Sequence, residues 1–527
     1  MAFFTQLWSL DILICVFSLA ICAYFYAVRN FNYWKRRGFK EIPPTAVFGN
    51  FMECFLAKKP LVHVLNDIYE YAKDEPSVGF YVLDKPYLMV RDPELIKHVL
   101  IKDFANFTDR VADSYKTDYI GRFNLFVLRN PDWKFVRQKI SPVFTSGRLK
   151  KMFDLMLEID KDLDQYLKTT VEEVPRNYEN YFIILHSGKS VELDVKEICA
   201  KFTTDVIGIT AYGMRFDALS DENSYIRKVG RTVFTKSYRR YVEYLSALLV
   251  PSIVNVFGFR LLGKASSRFL SDLFHRAMKE RLDSGVKRAD LLDFLIDLKK
   301  EQKNELVKSE RKIHDGQLIA QAAIFFIGGF ETSSTTMSFA LYELAKNPDV
   351  QRKLREELSG VLEKNDGKVT YDMLMNSLPY LEMVISETLR MYPILPYLDR
   401  MTEKDYQCSL TKLVIPAGVP VVVPMRSLHM DPNYFPRPQR FDPSRFSREN
   451  KINIKPNTYF PFGDGPRICV GMRLGLIQTK LGLIRLISNY EFLPCREALN
   501  VMEFDNKSPL LSSTADLVLN VRRISTR

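Results

Sequence analysis

The sequence has few of the residues from which metal clusters and disulfide frameworks are built. Its 527 residues include six histidines and seven cysteines, an odd number. The cysteines never form a C-x-x-C pair, and the histidines never form an H-E-x-x-H group. This pattern argues against a disulfide framework, a zinc ribbon and a zinc protease site. Most of the cysteines are therefore expected to be small, buried, apolar residues.

Signals for nucleic-acid binding are missing as well. The formal net charge of +12 is compatible with three kinds of partner: nucleic acid, an anionic membrane or an acidic protein. The chain has no zinc-finger spacing, no RNP-like strand and no long basic arm, so we expect no nucleic-acid partner. A membrane and an acidic protein remain.

Long apolar runs are scarce, and only residues 10–28 form one that can cross a bilayer as a helix. No lysine or arginine precedes this run, whereas Arg29, Lys35, Arg36 and Arg37 follow it. The positive-inside rule then predicts a luminal N-terminus and a cytosolic body. A cleaved signal peptide is the alternative, but it would carry its positive charge before the apolar run. The sequence therefore favours an uncleaved transmembrane anchor over residues 1–28.

Behind the anchor, residues 29–45 are predicted to be a basic, proline-containing linker and residues 46–527 one large domain. Pro43 and Pro44 favour an extended path for the linker. Apolar periodicity predicts helices over 93–101, 148–168, 264–283, 316–346, 348–363 and 379–391. Short strands are predicted over 78–82, 87–90 and 419–423, with a further pair near the C-terminus. The charge-rich residues 296–316 are predicted to be an exposed connection. The apolar residues 318–330 are too few to span a bilayer and are predicted to lie in a buried helix.

Cys469 differs from the other cysteines in its surroundings. It lies in the run Phe-Gly-Asp-Gly-Pro-Arg-Ile-Cys-Val-Gly, residues 462–471, directly before a helix-like stretch that begins at Met472. The glycines permit a tight turn, and a helix N-terminus favours the thiolate form of a nearby sulfur. A thiolate held in this way is either a metal ligand or a nucleophile, and the run itself leaves both open.

The predicted helix 316–346 contains the run Gly-Gly-Phe-Glu-Thr at residues 328–332. Two glycines inside a helix cost about 1 kcal/mol each relative to alanine, which suggests a use such as the close approach of a flat ligand or a local opening. Glu331 and Thr332 could then relay protons into a dry cavity. A packing notch beside a solvent-facing glutamate explains the same residues equally well.

Three further groups are ordinary when taken singly. Glu387 and Arg390 share a helix face and can form an ion pair, which Arg445, in the proline-punctuated loop 441–446, could extend. Trp133 and Arg137 lie four residues apart on one predicted helix, where an indole N–H and a guanidinium can hold an anionic group. A surface ion pair, a loop, and core packing beside a surface charge are the alternative explanations.

In their order along the chain, these elements resemble the cytochrome P450 family of haem-thiolate monooxygenases. The family pattern F-x-x-G-x-R-x-C-x-G is matched at Phe462, Gly465, Arg467, Cys469 and Gly471. The stretches 31–38 and 141–147 narrow the resemblance to insect microsomal members of the detoxification type. The resemblance implies the cytochrome P450 fold: mainly α with small β sheets, as a single large haem domain behind an N-terminal transmembrane anchor helix.

The resemblance also implies roles for individual residues. Cys469 would be the metal ligand of haem b (iron protoporphyrin IX), while Thr332 and Glu331 would be catalytic and deliver protons to O2. The residues that bind the cofactor would be Trp133, Arg137, Arg400, Phe462, Arg467 and Gly471, with Arg110 as a weaker candidate. Glu387, Arg390 and Arg445 would form a structural triad. Ser444 stands where the family usually carries an acid, which puts the stability of that loop in question. The substrate pocket would include Phe107, Phe123, Phe326, Phe330, Tyr397 and Leu398.

The activity that the resemblance implies is insertion of one oxygen atom of O2 into a lipophilic small molecule, with two electrons from NADPH. The substrate would be a xenobiotic, such as a plant toxin or an insecticide, or an endogenous lipid or hormone. NADPH–cytochrome P450 reductase would be the partner at the endoplasmic reticulum membrane, with cytochrome b5 as a second candidate donor. The basic residues of 131–151 would dock the acidic reductase; they are Lys134, Arg137, Lys139, Arg148, Lys150 and Lys151.

Two alternatives keep the haem but change the function. One is a haem-thiolate isomerase or dehydratase that acts on peroxides, and the other is a non-catalytic haem sensor or carrier. The pair Glu331 and Thr332 argues against the first, since enzymes of that kind tend to lack it. A haem sensor or carrier would leave both this pair and the basic residues of 131–151 unexplained. Neither a base for Cys469 nor a cysteine-hydrolase motif is found, so the resemblance favours the ligand over the nucleophile.

Overall fold

Helices make up most of the chain, as the sequence predicts. The computed structural model describes residues 8–172, 190–234, 237–303, 312–410, 414–495 and 502–524. The α-helices are α1 (Trp8–Val28), α2 (Met52–Phe55), α3 (Leu61–Tyr71), α4 (Pro93–Lys97), α5 (Tyr119–Phe123), α6 (Asp132–Ile140), α7 (Ser146–Leu167), α8 (Val195–Ile207), α9 (Tyr225–Val233), α10 (Tyr238–Leu249), α11 (Pro251–Phe257), α12 (Lys264–Ser284), α13 (Leu291–Lys303), α14 (Asp315–Lys346), α15 (Pro348–Glu363), α16 (Tyr371–Asn376), α17 (Pro379–Met391), α18 (Met425–His429) and α19 (Met472–Asn489). The helices predicted from periodicity are all present, the first as α4 and a π turn that ends at Lys102.

The β structure described here is confined to three small sheets. The strands are β1 (Ser77–Val82), β2 (Lys85–Val90), β3 (Val191–Asp194), β4 (Leu398–Met401), β5 (Tyr406–Gln407), β6 (Val414–Ile415), β7 (Pro420–Val423), β8 (Tyr490–Pro494) and β9 (Val518–Arg523). The largest sheet has the order β1-β2-β7-β4, in which only β2 and β7 run parallel. The order β3-β9-β8 forms an antiparallel sheet, and β5 pairs with β6. The prediction of a mainly α fold with small sheets is confirmed.

α14 is the central helix of the domain. His314 caps it: its ring accepts the Gln317 backbone N–H, and the Gln317 side chain accepts the His314 N–H. α5, α8, α17 and α19 pack around the helix. Leu318 and Phe330 are at most 1% exposed, so the prediction that residues 318–330 form part of a buried helix is confirmed.

The N-terminal helix α1 is long and apolar enough to cross a membrane, and no other helix in the described part of the chain is. Its large apolar side chains are exposed, among them Phe17 by 66% and Leu19 by 69%. Apolar surface of this extent is unfavourable in water. The helix is therefore compatible with a membrane anchor.

The predicted linker, residues 29–45, is docked on the domain along part of its length. Trp34 is fully buried, and a Cβ atom on Gly79 of β1 would lie only 2.2 Å from its indole ring. The Ile42 N–H donates to the Gly79 carbonyl, and the Gly79 N–H donates to the Lys40 carbonyl. Two prolines predict an extended path but not this docking, which depends on one tryptophan meeting one glycine.

The prediction of an exposed connection over residues 296–316 is wrong for its first half. α13 continues to Lys303 and buries Ile296 and Leu298, which are 7% and 4% exposed. Charged residues flank these two positions without interrupting the apolar side of the helix, so charge density was a misleading signal. Residues 304–311 lie outside the described part of the chain.

Candidate active site

The loop that carries Cys469 is a tight turn whose shape requires glycine. Gly463 and Gly465 have positive φ angles of 77° and 69°. A Cβ atom on Gly465 would lie 1.9 Å from the Leu100 carbonyl oxygen, so no other residue fits there. The Cys469 N–H donates to the Phe462 carbonyl at 2.9 Å, which closes the turn. Phe462 itself is partly buried and packs against the main core.

Cys469 is exposed, whereas the other cysteines described behind α1 are buried. Protein nevertheless surrounds it closely enough that desolvation raises its pKa; the Gly471 N–H, Arg137 and Arg110 act in the opposite direction. The Gly471 N–H thus favours the thiolate, as the position before a helix N-terminus predicts, while burial opposes it. A metal ion deprotonates a thiol that coordinates it. Neither an imidazole nor a carboxylate is among the groups that shift this pKa, so the surroundings fit a metal ligand better than an activated nucleophile.

A buried cluster of three arginines lies beside this loop and is called the arginine cluster below: Arg110, Arg400 and Arg467. Each is less than a tenth exposed. Arg110 pairs with Asp399 at 3.2 Å, and Arg467 pairs with Asp109 at 3.3 Å. Three guanidinium groups thus share two carboxylates, so the cluster carries an excess of positive charge.

The arginine cluster fits an anionic ligand. Burial, together with the neighbouring arginines, lowers the pKa of Arg400 to about 9 and that of Arg467 to about 8. Three of its buried N–H groups, Arg110 Nε, Arg400 Nε and Arg467 Nη1, have no hydrogen-bond partner in the described structure. Buried donors without acceptors are destabilising. The two propionate carboxylates of haem would supply acceptors of the right charge.

The predicted pair Trp133 and Arg137 lies on α6 next to the arginine cluster. The Arg467 guanidinium stacks on the Trp133 ring at 4.2 Å, and Phe104 packs on the same ring at 5.7 Å. Arg137 is half-buried, and burial lowers its pKa while the Cys469 sulfur acts to raise it. The structure therefore brings the predicted cofactor residues of α6 to the side of the cysteine loop.

Glu387, Arg390 and Arg445 lie together. Arg390 donates through Nε and Nη2 to both carboxylate oxygens of Glu387, at 2.7 and 2.8 Å, and Arg445 Nε donates to the same carboxylate at 3.4 Å. The side chains of Glu387 and Arg390 are fully buried. Asp442 accepts the backbone N–H and the hydroxyl of Ser444, so a carboxylate two residues earlier stabilises the loop in which Ser444 replaces an acid.

His429 connects this triad to the cysteine loop. Its carbonyl accepts from Arg390 Nη1 at 2.9 Å, and its Nε2 accepts the Phe460 N–H at 3.1 Å. Burial and the nearby Arg390 lower the pKa of His429 to about 3, so the ring is neutral near pH 7. The fully buried imidazole is therefore a permanent acceptor for a backbone N–H of the loop.

One face of α14 is open next to the start of α19. Gly328 is exposed and has no atom within 4 Å of the place of a Cβ, whereas Gly329 is packed tightly on Ile207 of α8. Phe325, one turn before Gly328, packs on Phe144 at 5.5 Å, and Phe144 in turn lies 3.9 Å from the place of a Cβ on Gly471. Of the two glycines, one is a packing notch and the other leaves space on the side of the cysteine loop.

Glu331 and Thr332 have different environments. The Thr332 hydroxyl donates to the Gly328 carbonyl at 2.5 Å, at the open face. The Glu331 carboxylate instead pairs with Lys196 of α8 at 2.9 Å. Lys196 Nζ also donates to Ser334 and Thr335, at 2.8 and 2.7 Å. Lys196 has no motif around it in the sequence, because its partners lie more than a hundred residues away.

Three of the predicted pocket residues belong to the core. Phe107, Phe326 and Phe330 have no exposed surface: Phe107 packs on Tyr406 at 4.8 Å, and the other two pack on each other at 5.2 Å. Their assignment to the substrate pocket stays a prediction, since an aromatic residue on a buried helix is equally suited to the core. Tyr397 is 7% exposed and Phe123 partly exposed, and Leu398 lies 3.8 Å from the place of a Cβ on Gly463 of the loop.

The similarities to known proteins agree with this geometry. The sequence profile of the cytochrome P450 family matches residues 41–519. The chain is 39% identical to cytochrome P450 6k1 of Blattella germanica over 97% of its length and 96% of that protein. It is also 39% identical to probable cytochrome P450 6g2 of Drosophila melanogaster, covering 98% and 99% of the two chains. For cytochrome P450 6a2 of the same fly the identity is 36%, covering 97% and 99%. The predicted resemblance to insect members of the family is confirmed.

Proposed function

Because the chain belongs to the cytochrome P450 family, whose monooxygenases use haem b, O2 and NADPH-derived electrons, we propose that it inserts one oxygen atom of O2 into lipophilic small molecules. The proposed substrates are xenobiotics, such as plant toxins or insecticides, or endogenous lipids and hormones. The observation that carries the proposal is an exposed cysteine beside buried arginine donors that lack acceptors.

In this proposal the protein holds the cofactor from two directions. Cys469 would ligate the iron, and Gly471 donates its N–H to the sulfur. The arginine cluster, with Arg137 and Trp133 of α6, binds the propionates. Haem bound through a cysteine thiolate supplies electron density that favours O–O cleavage. Phe462 packs beneath the loop and fixes its position.

The remaining residues act on protons and water. The Thr332 hydroxyl donates a hydrogen bond at the open face of α14, and Glu331 exchanges protons on the side of Lys196. Phe325, which is partly exposed one turn before Gly328, gives the open face aromatic surface that suits a lipophilic substrate. The chain thus separates an apolar substrate side from a polar side where protons are exchanged.

Electrons would reach the cysteine side from NADPH–cytochrome P450 reductase, with cytochrome b5 as a second candidate donor. Lys134, Lys150 and Lys151 are exposed on α6 and α7, and Arg473 is exposed four residues after Cys469. Arg148 lies over Phe294 at 5.0 Å and Arg137 is half-buried, so these two contribute less to the surface. A positive surface of this kind favours an acidic partner.

We place the enzyme at the endoplasmic reticulum membrane, with α1 as its anchor, the N-terminus in the lumen and the domain in the cytosol. The support is the apolar helix followed by basic residues, with no lysine or arginine before it. Glycosylation sites added before residue 8 or after residue 28 in microsomes measure the orientation. Modification of the second site alone would contradict it.

The proposed activity is tested by NADPH consumption and product formation with purified reductase and a panel of lipophilic compounds. Product formed in proportion to NADPH supports a monooxygenase, whereas product from peroxides without reductase would point to an isomerase. Cys469→His should abolish the red-shifted ferrous–CO band of thiolate-bound haem, and Cys408→Ala, at a buried cysteine, should leave it intact. A band that survives Cys469→His would refute the ligand assignment.

A further inference from the structure

The backbone carbonyls of residues 328–332 in α14 each accept a hydrogen bond from a side chain, and those of residues 329 and 330 accept it from another helix. Thr332 donates to the first at 2.5 Å and Gln478 of α19 to the second at 2.7 Å. Thr203 of α8 lies 2.9 Å from the third and shares its hydroxyl proton with carbonyls of its own helix. Carbonyls inside a helix already accept backbone N–H groups. Of these additional donors, those to Gly329 and Phe330 come from α19 and α8, so they join this part of α14 to its neighbours.

Gln478 is the donor that comes from the helix of the cysteine loop. It is 1% exposed, and its amide nitrogen donates both to the Gly329 carbonyl and to the Ser333 hydroxyl. Gly475, one turn before Gln478, brings α19 close to α14: the place of its Cβ lies 3.6 Å from the Ser333 hydroxyl. The amide is therefore held between the two helices without freedom to turn elsewhere.

The position of this contact links the two sides of the site. α19 begins three residues after Cys469, and Gly329 lies between the open Gly328 and Thr332. Glycine backbones are intrinsically permissive, so two in succession make this stretch of α14 the one most easily displaced. A donor on α19 restrains this stretch of α14. It thereby fixes the position of the stretch relative to the helix that follows Cys469.

We propose that Gln478 is a positioning residue, whose amide holds the Gly329 carbonyl and so fixes the open face of α14 and Thr332 relative to Cys469. The expected effect on turnover rests on the proposed function. The expected restraint of α14 by Gln478 does not depend on turnover. Gln478 Oε1 is buried and has no partner in the described structure. The hydrogen bonds of the amide nitrogen therefore determine the orientation of the side chain.

Gln478→Leu tests the proposal because it keeps the volume of the side chain and removes the donor. We expect hydrogen exchange of the amides in residues 328–334 to rise about fivefold in the ferric enzyme, which corresponds to loss of about 1 kcal/mol for one hydrogen bond. We expect hydrogen peroxide released per NADPH to rise by a similar factor, with the ferrous–CO band unchanged.

Gln351→Leu is the matched control. Gln351 is 2% exposed and also donates its amide to a carbonyl of α14, that of Leu344, at 3.1 Å. This contact lies at the C-terminal end of α14, far from the glycine pair. Replacement of Gln351 should therefore lower the melting temperature without changing exchange in residues 328–334 or peroxide release. Equal effects of the two variants would reduce Gln478 to an ordinary structural contact.

A third variant keeps the proposal testable if Gln478→Leu does not bind haem. Gln478→Met also removes the donor to the Gly329 carbonyl, but it keeps the unbranched shape of glutamine, and it should raise exchange in the same residues. Unchanged exchange in whichever of the two variants folds would overturn the proposal. If the wild-type protein shows no NADPH-dependent turnover, the proposed function fails, and the exchange measurement still decides the role of Gln478.

Discussion

At the scale of single residues, burial determines what each group of the site can do. Arg400 and Arg467 retain unpaired N–H groups because burial separates them from water and two aspartates must serve three arginines. Cys469 has a raised pKa for the same reason, although its turn provides an N–H donor. Glu331 pairs with Lys196, which lies in no recognisable sequence motif. These groups derive their chemistry from their neighbours more than from their residue type.

Glu331 and Lys196 allow the role of the acid in proton transfer to be separated from its role in folding. Glu331→Gln should slow turnover about a hundredfold, because an amide cannot exchange protons, and should also destabilise the fold by leaving Lys196 partly buried without its partner. The double variant Glu331→Gln with Lys196→Met should recover the melting temperature but not the turnover. Recovery of both would mean that Glu331 is structural only. Lys201→Met, on the same helix and over Tyr166, is the control for removal of a lysine.

His429 gives the protein a specific sensitivity to acid. Its folded pKa of about 3 lies below the ordinary value of 6.5, so between these values the unfolded chain binds a proton that the folded protein excludes. The free energy of unfolding should therefore fall as the pH drops below 6.5, by up to about 1.4 kcal/mol per pH unit for this group. His429→Gln keeps an acceptor for the Phe460 N–H and should make the fall less steep in urea unfolding at a series of pH values. Identical slopes for the two proteins would contradict this.

At the scale of elements, the site is assembled from segments that are remote in the chain. α14 supplies the open face, α19 follows the cysteine loop, and α17 anchors that loop through Arg390 and the carbonyl of His429. The docked segment 29–45 adds an edge to the β1 sheet. Because Trp34 fills the space beside Gly79, this segment contributes to the core of the domain as well as joining it to α1.

Two truncations test that boundary. Removal of residues 2–28 deletes α1, the proposed anchor, and should leave a protein with an unchanged ferrous–CO spectrum and melting temperature. Removal of residues 2–45 also takes Trp34 out of the core and should cost about 3 to 5 kcal/mol of stability, as for other buried tryptophans. Equal melting temperatures for the two truncated proteins would show that residues 29–45 are only a tether.

At the scale of the whole molecule, the basic residues behind the net charge of +12 are divided between the interior and the surface. The buried Arg281 and Arg390 pair with carboxylates, whereas lysines of α6 and α7 remain at the surface on the cysteine side. Surface charges are screened by salt and act over about 10 Å at ordinary ionic strength. They can therefore steer a partner without adding much to the stability of the fold.

Reversal of two of these charges tests the docking surface. Lys150→Glu with Lys151→Glu should lower the rate of reduction by reductase about tenfold at low salt and weaken its dependence on salt. Lys58→Glu with Lys73→Glu, at exposed lysines next to α3, should leave both unchanged. Stopped-flow reduction at several salt concentrations measures the effect. If both reversals gave wild-type rates, α7 would not be part of the docking surface.

Local patterns in the sequence determined a large part of this protein by themselves. The glycine-framed Cys469 run, the periodic helices such as α14 and α17, and the apolar α1 depend on neighbours within a few residues, so their physics is visible in the chain. The ion pair of Glu387 and Arg390 spans three residues of one helix and is visible for the same reason.

Only the tertiary structure decided which groups meet across the chain. Lys196 reaches Glu331 over 135 residues, and Gln478 reaches Gly329 over 149. The same packing buried Phe107, Phe326 and Phe330 completely, and it brought Trp34 onto the domain. Burial and pairing of this kind depend on the folded arrangement of many elements, and no local pattern carries that information.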